Sequence, residues 1–259
     1  MEKTLKTAEK LFRDAASSGA DLITLPEFFS CLSIEKSGLN TNPHTEDEHP
    51  ALKRFQMLSE ELKVWTLLGS ITIQANNDRF FNRSYILNTS GEIISRYSKI
   101  HLFDVDLDKS QIYRESDQVM PGDQAVLASI PWGTIGMSIC YDIRFPNFYR
   151  TLAKAGANII TIPAAFTKRT GIAHWHVLNR ARAIECSSFV ISPCMPGKHG
   201  FGRTFGHSLI VSPWGEILAD GGEEEGFVKA EINMDEVINA RKMIPSLEHD
   251  RNYSISKDS

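Results

Sequence analysis

Three side chains that could act together in catalysis each come just past a short predicted strand. A thiol, a carboxylate and an ammonium group are placed in this way: Cys140 after 136–139, Glu27 after 22–26, and Lys99 after 93–98. An apolar, β-branched run that breaks into a turn is typical of a strand end. The sequence therefore predicts that these three groups lie at strand ends and share one site.

The three groups together predict an acyl-transfer reaction. A thiolate at Cys140 attacks carbonyl and nitrile carbons, but a free thiol needs a base, which Glu27 can supply. Lys99 and the backbone N–H that follows Cys140 are suited to stabilise the oxyanion of the tetrahedral intermediate. Glu27 would then protonate the leaving amine, and water would hydrolyse the thioester. A second carboxylate, Glu115, is expected to pair with Lys99 or to orient the substrate's amide nitrogen.

Each of these residues also has a structural interpretation. Cys140 is the type of residue that fills a core as a small apolar side chain. Glu27 could cap a helix, Lys99 could be a solvated charge at the end of a hairpin, and Glu115 could lie on a polar surface loop. The combination of the four, rather than any single one, favours catalysis.

Hydrophobic periodicity predicts an α/β protein in which residues 1–259 form a single domain. The predicted helices are 3–17, 51–63, 145–155, 173–185 and 235–243. The predicted strands are 21–25, 66–74, 81–87, 92–97, 126–130, 134–139, 158–162, 188–192, 208–211, 216–219 and 227–232. Residues 38–48 and 101–122 are predicted to be loops. Helices that alternate with hairpins indicate a mixed sheet, or two sheets covered by helices.

Composition excludes several classes of function. The formal net charge is −4, and lysines and arginines form no block, which argues against a nucleic-acid partner. No apolar stretch is long enough to span a membrane. The four cysteines form no C-x-x-C pair, and the N-terminus has no apolar signal segment, so we expect a reducing cytoplasm.

The sequence resembles the nitrilase superfamily of carbon–nitrogen hydrolases from about residue 3 to residue 253. Three blocks carry the resemblance: Leu25-Pro26-Glu27, Tyr97-Ser98-Lys99-Ile100-His101-Leu102-Phe103 and Ile139-Cys140-Tyr141-Asp142-Ile143-Arg144-Phe145-Pro146. It implies a four-layer α-β-β-α sandwich, a small-molecule amide substrate, no cofactor, and a homodimer or higher homo-oligomer. Members of this family normally begin with a strand ahead of the first helix. This sequence starts inside that helix, so we expect that strand to be missing.

Further segments resemble the amidase branch that holds omega-amidase and deaminated-glutathione amidase. They are 99–106, 170–175, 206–208 and 213–215. The resemblance implies hydrolysis of monoamides of dicarboxylic acids, such as 2-oxoglutaramate or deaminated glutathione. Glu115 matches the second glutamate discussed for the family.

Substrate binding is predicted at a further set of residues: Tyr141, Arg144, Phe166, Arg169 and His174. The alternative for Arg144 is a structural ion pair with Asp142, and the alternative for Phe166 is core packing. His174 and His176 lie two positions apart on a predicted helix, so they do not share a face and are poor joint metal ligands. No metal site is predicted.

Three other functions remain open from sequence. The same residues could attack a nitrile instead of an amide. The chain could be a catalytically silent sandwich-fold protein that binds a partner. Cys140 could also be a redox-sensing thiol, with Cys186 or Cys194 close in space.

Overall fold

The computed structural model describes residues 1–35, 38–76, 78–108 and 111–257. Within these residues the α-helices are α1 (Glu2–Ser17), α2 (Pro50–Leu62), α3 (Pro146–Lys154), α4 (Lys168–Thr170), α5 (His176–Cys186) and α6 (Asp235–Met243). The strands are β1 (Leu22–Thr24), β2 (Ser33–Glu35), β3 (Gly38–Asn40), β4 (Trp65–Asn76), β5 (Arg79–Leu87), β6 (Ile93–Ser98), β7 (Asp104–Asp108), β8 (Gln111–Arg114), β9 (Leu127–Ile130), β10 (Gly133–Met137), β11 (Ile159–Thr161), β12 (Phe189–Ser192), β13 (Pro196–His199), β14 (Gly202–Phe205), β15 (Leu209–Val211) and β16 (Ile217–Asp220).

Two mixed sheets form the centre of the molecule. One has the strand order β1-β4-β5-β6, and the other has the order β16-β15-β12-β11-β10-β9. Alternate residues of a strand point to opposite faces of its sheet. On β4, Leu67 joins the core between the two sheets, while its neighbour Leu68 joins the core beneath α1 and α2. The first sheet is therefore covered by helices on one face and by the second sheet on the other.

The second sheet is covered by helices on its other side. α3 and α5 pack on it through Tyr149, Ala153 and Ala183. Strand β11 is buried along its whole length, as expected for a central strand covered on both faces. The result is the predicted α-β-β-α layering.

Strand β1 lies at the edge of its sheet. It pairs in parallel with β4, and no second partner is found among the described residues. A cavity of about 180 Å³ adjoins this edge, with Leu11 and Phe12 of α1 on one side and Leu209 and Ile210 on the other. The first sheet thus has four strands and the second has six.

Several sequence predictions of local structure are wrong. The predicted loop 101–122 contains the antiparallel hairpin β7–β8, although Lys109 and Ser110 lie outside the described residues. Its Asp-rich sequence disfavours a strand by propensity, and backbone pairing overrides that preference. Likewise, β3 lies in the predicted loop 38–48 and pairs with β2.

The predicted strand 227–232 has no regular structure. Its alternation of half-buried and exposed positions suits a strand, but a strand also needs a partner, and no described strand pairs with it. The helix predicted at 173–185 begins earlier than expected. It starts at Lys168 and passes through a π-helical segment, Gly171–Trp175, before α5.

Candidate active site

Glu27 is held just past the end of β1 by three hydrogen bonds. Its Oε1 accepts hydrogen bonds from Lys99 Nζ at 3.0 Å and from Asn82 Nδ2 at 2.8 Å. Its Oε2 accepts from the backbone N–H of Ala165 at 2.8 Å. The chain reaches this position by passing very close to β4, where a Cβ on Gly69 would lie 1.7 Å from the carbonyl oxygen of Leu25. Glycine at position 69 is therefore required for the placement of Glu27.

Lys99 follows β6 and lies between two carboxylates. Besides Glu27, its Nζ donates to both oxygens of Glu115, at 3.0 and 2.8 Å, and the Lys99 side chain is only 2% exposed. Burial alone would lower the pKa of Lys99, but Glu115 and Glu27 outweigh it and hold that pKa well above its usual range. Lys99 therefore stays a cation although its side chain is buried.

Glu115 lies at the start of a 3₁₀ turn, Glu115–Asp117, after β8. Its Oε2 also accepts from the backbone N–H of Phe103 at 2.6 Å. Burial raises the pKa of Glu115, the Lys99 ammonium opposes that rise, and the nearby Glu27 carboxylate adds to it. The two carboxylates thus share a single ammonium.

Cys140 sits on a tight turn between β10 and α3. Its φ is +49°, which is unusual for a residue other than glycine, and its backbone N–H donates to the carbonyl of Pro163 at 2.9 Å. It opens a 3₁₀ turn, Cys140–Arg144, whose first N–H groups have no acceptor within the turn. Burial, the Glu27 charge and a hydrogen bond with Glu27 raise the pKa of the Cys140 thiol well above its usual range, against the opposing effect of Lys99. The thiol is therefore neutral at rest and next to a base.

The Asp142 carboxylate holds the Cys140 turn in place. Its Oδ2 accepts from Tyr97 Oη at 2.6 Å and from the backbone N–H of Ile139 at 2.8 Å. Its Oδ1 accepts from the backbone N–H of His101 at 3.1 Å and contacts His101 Nδ1 at 2.7 Å. Asp142 thus ties the Cys140 turn to the segment on either side of Lys99. The ion pair considered for Asp142 and Arg144 is not among these contacts.

One cavity joins all four catalytic candidates. Its volume is about 280 Å³, which is close to the lower limit usual for small-molecule sites. Glu27, Lys99, Glu115 and Cys140 lie in its wall. The rest of the wall is mainly apolar and aromatic, with a few polar groups: Phe28, Leu32, Ile34, Glu35, Gly38, Leu39, Phe103, Ile112, Tyr113, Arg114, Asp117, Gln118, Tyr141, Ala165, Phe166, Thr167 and Thr170.

Comparison with known proteins decides the family. Residues 1–242 match the family model described as carbon-nitrogen hydrolase. The chain belongs to the carbon–nitrogen hydrolase family, also called the nitrilase superfamily. It is a hydrolase that acts on carbon–nitrogen bonds other than peptide bonds.

Named relatives are similar over nearly the whole chain. A protein from Synechocystis sp. named deaminated glutathione amidase is 40% identical over 256 residues, which is 96% of this chain and 93% of that protein. A protein of the same name from Bos taurus is 36% identical over 258 residues, which is 96% of this chain and 78% of that protein. The crystal structure of the C. elegans NitFhit protein superposes with a TM-score of 0.87 at 29% identity, and the match covers 97% of this chain and 62% of that one.

The predicted substrate-binding residues of this carbon–nitrogen hydrolase fall into two groups. Tyr141 and Phe166 line the cavity. Arg144, Arg169 and His174 are not part of the cavity wall. The Arg144 guanidinium lies 5.4 Å from the ring centroid of Phe166 and 5.8 Å from that of Tyr141, and its Nη2 is 3.3 Å from His174 Nδ1. Arg144 therefore packs on two aromatic residues of the cavity wall without being part of that wall.

Sequence reasoning missed three residues of the site. Asn82 contacts Glu27, and its own Oδ1 is buried without a hydrogen-bond partner. A polar residue at a buried position of β5 is the signal that could have identified it. Asp142 was considered only as a partner of Arg144. Arg114, in the hairpin that was predicted to be a loop, is the guanidinium of the described cavity wall.

The other cysteines offer little support for redox sensing. All four cysteines, including Cys31, are free thiols. Burial raises the pKa of both Cys186 and Cys194 to about 12, so neither is an activated thiol.

Proposed function

We propose that this carbon–nitrogen hydrolase cleaves small linear amides to a carboxylic acid and ammonia, or to an acid and an amine where the amide nitrogen is substituted, with Cys140 as the nucleophile. The observation that carries the proposal is the arrangement of one thiol, one ammonium and two carboxylates in the wall of a single cavity. The names of the relatives support an amide as the substrate.

The first half of the reaction forms a thioester. Glu27 accepts the thiol proton as Cys140 Sγ attacks the amide carbon. The carbonyl oxygen becomes an oxyanion, which Lys99 Nζ and the backbone N–H of Tyr141 stabilise. Glu27 then returns the proton to the nitrogen, the carbon–nitrogen bond breaks, and the amine leaves: ammonia from an unsubstituted amide, or cysteinylglycine from deaminated glutathione. Glu115 keeps Lys99 charged and in position throughout.

The second half reverses these roles with water as the nucleophile. Glu27 takes a proton from water, and the resulting hydroxide attacks the thioester carbon. The tetrahedral intermediate collapses, the carbon–sulfur bond breaks, and the proton on Glu27 returns to Cys140 Sγ. The carboxylic acid leaves and the resting thiol is restored.

We propose that the preferred substrates carry a carboxylate, as in deaminated glutathione and other monoamides of dicarboxylic acids. Relatives named for the first of these support this choice. Arg114 lies in the cavity wall, and its guanidinium pairs with Asp106 at 2.6 Å in a partly exposed contact that a substrate carboxylate would replace. Thr167 and Thr170 add hydroxyl groups to the same wall.

Cys140→Ala is the decisive variant, with Cys31→Ala as its matched control. Cys31 is a partly exposed thiol outside the cavity wall. Release of cysteinylglycine from deaminated glutathione, and of ammonia from monoamides of four- and five-carbon diacids, should fall by about 10⁴-fold or more in Cys140→Ala and stay unchanged in Cys31→Ala. Intact-mass analysis after rapid quenching should show an acyl adduct on the parent enzyme only. Full activity in Cys140→Ala would refute the proposal.

The nitrile alternative is separated by the same assay. Each amide is compared with the nitrile of the same carbon skeleton. We expect the amide to give the larger kcat/KM, and a larger value for the nitrile would favour a nitrilase.

We also propose that residues 1–259 form one domain that assembles as a homodimer or larger homo-oligomer. Support comes from large apolar side chains exposed on and beside α5, with Ile172 68% and Val177 61% exposed. Sedimentation equilibrium tests this, and a monomer at micromolar concentration would contradict it.

No helix among the described residues is long and apolar enough to cross a membrane. Four free thiols support a reducing compartment, and we propose the cytoplasm.

A further inference from the structure

A second cluster of polar side chains lies outside the catalytic cavity. It joins His176 at the start of α5, His207 between β14 and β15, and Asp220 at the end of β16. His176 Nε2 is 3.0 Å from Asp220 Oδ2, and His207 Nδ1 is 2.8 Å from Asp220 Oδ1. The three ligand-type atoms lie within 4.8 Å of one another. Three distant parts of the chain therefore direct two imidazoles and one carboxylate at a single point.

The backbone at His207 is held in an unfavourable conformation. Its φ is +56°, a left-handed value that costs free energy for any residue with a Cβ. Its ring stacks on that of Phe205, with the centroids 4.4 Å apart and an angle of 24° between the planes. The His176 ring lies edge-on to the His207 ring, with the centroids 5.0 Å apart. The His207 imidazole is thus fixed in direction by backbone and ring contacts together.

The helix that carries His176 is irregular just before that residue. The segment Gly171–Trp175 is π-helical, and such segments are rare and frequently occur at functional sites. Trp175 Nε1 donates to the backbone carbonyl of His207 at 2.7 Å. The π-helical segment is therefore joined by a hydrogen bond to the residue that supplies the second imidazole.

We propose that His176, His207 and Asp220 bind a divalent first-row transition-metal ion, with Zn²⁺ as the probe. Two imidazole nitrogens and one carboxylate are a ligand set that such ions prefer, and water would complete a tetrahedral site. Ligand distances of about 2.0–2.2 Å require ligand atoms about 3.4 Å apart. Small side-chain rotations reach this spacing from the observed separations. The ion replaces the two histidine–aspartate hydrogen bonds.

The bound ion would stabilise the wall of the catalytic cavity without taking part in the reaction. It would join the start of α5, the loop after β14 and the end of β16. Trp175 packs against Phe166 with their ring centroids 4.8 Å apart, and Phe166 lines the cavity. The backbone N–H of Phe205 donates to the Phe166 carbonyl at 2.8 Å. The site is thus connected to the cavity wall through two contacts.

Metal titration of the full chain tests this assignment. The Cys140→Ala variant is the parent, because it removes the catalytic thiol as a competing ligand. Isothermal titration with Zn²⁺ should show one ion per chain. His176→Gln and Asp220→Asn should each weaken Zn²⁺ binding by about 100-fold or more. Loss of an outer-shell partner already costs about 10–100-fold, and loss of a direct ligand should cost at least the upper end of that range. The matched control is His174→Gln, an exposed histidine on the same helix and outside the cluster, which should leave the affinity within about twofold.

Two further measurements separate this outcome from its alternatives. Co²⁺ should give the visible absorption of a nitrogen–oxygen site, without the near-ultraviolet charge-transfer band of a thiolate ligand. Zn²⁺ should raise the unfolding temperature of the parent and of His174→Gln but not of His176→Gln. Should Asp220→Asn fail to fold, His176→Gln decides alone, because its imidazole is partly exposed.

The proposal is overturned by any of three results. The parent takes up neither Zn²⁺ nor Co²⁺, binding survives in His176→Gln, or His174→Gln loses binding as much as the cluster variants. In each case the cluster is a hydrogen-bonded network that only fixes the loop around His207. Because the titration is performed on an inactive variant, its result is independent of the proposed amidase function.

Discussion

The Lys99–Glu115 contact gives the most direct test of how the site works. In Glu115→Gln, one carboxylate oxygen becomes an amide N–H₂ group, which cannot accept from Lys99 Nζ or from the Phe103 N–H. One of the two Lys99 contacts, at 3.0 and 2.8 Å, is lost and the other becomes a contact to a neutral acceptor. Hydrogen bonds to charged groups contribute about 1.5–3 kcal/mol and neutral ones about 0.5–1.5 kcal/mol. The total loss is therefore about 3–4 kcal/mol.

This loss should appear in kcat more than in KM. Lys99 is proposed to act on the oxyanion, which exists only after attack, so its misplacement affects the transition state. At about 1.4 kcal/mol for each factor of ten, kcat should fall by about 10²–10³-fold. Asp117→Asn is the matched control, because Asp117 lies in the same 3₁₀ turn and at the same cavity wall. Its kcat should change by less than about threefold.

A pH profile distinguishes this role from a structural one. Glu115 contributes to the raised pKa of Lys99, so its removal lowers that pKa. Lys99 then loses its proton at lower pH, and the alkaline limb of kcat should move towards neutrality. Activity alone does not show that the variant is folded, so its stability is measured by urea unfolding. The Phe103 N–H, left without an acceptor, should lower the free energy of unfolding by about 1–3 kcal/mol. A folded Glu115→Gln enzyme with unchanged kcat and an unchanged alkaline limb would refute the reasoning.

Three further variants test other parts of the structure. Burial lowers the pKa of His49 from 6.5 to about 4, so within that pH window the unfolded chain takes up a proton that the folded chain does not. The free energy of unfolding should therefore fall by about 3 kcal/mol as the pH drops through the window. Urea unfolding of His49→Asn, which keeps a cap for the Ala51 N–H, should lack this loss, and an unchanged pH slope in the variant would contradict the prediction. Asp142→Asn should lower the free energy of unfolding by about 3–5 kcal/mol, because one of its two accepting oxygens becomes a donor. A decrease of less than about 1 kcal/mol, measured by urea unfolding, would contradict this prediction. Arg114→Gln should lower kcat/KM for carboxylate-bearing amides by about 10–100-fold and leave kcat/KM for uncharged amides unchanged. Arg144→Gln should leave kcat/KM unchanged for both kinds of amide. The reverse result would place the substrate carboxylate at Arg144.

The sequence predicted the positions of the catalytic candidates because each lies just past the end of a strand. Glu27 follows β1, Lys99 follows β6, and Cys140 follows β10 after two residues. An apolar run and its end are properties of neighbouring residues, so periodicity alone detects them. The family resemblance added what periodicity lacked, namely that the three ends meet, and Glu115 was assigned in the same way.

The elements that were predicted wrongly depend on partners that are distant in sequence. Hairpin β7–β8 forms from an Asp-rich segment because its two backbones pair with each other. Residues 227–232 have the alternation of a strand but no strand among the described residues pairs with them. Alternation in the sequence indicates which residues of a strand share a face, but it does not indicate whether another strand is available to pair with it.

The same limitation explains why the supporting residues of the site escaped detection. Asp142 was expected to pair with Arg144, two positions away, yet its carboxylate binds Tyr97 and His101, more than forty positions away. Residues that perform chemistry carry a signal in their type, since thiols and buried ammonium groups are uncommon choices. Residues that hold them in place are ordinary aspartates and asparagines, and only the folded chain shows which donors they meet. The Asp142 and Glu115 variants therefore test what the structure adds to the sequence, because each predicted loss follows from contacts that no local pattern records.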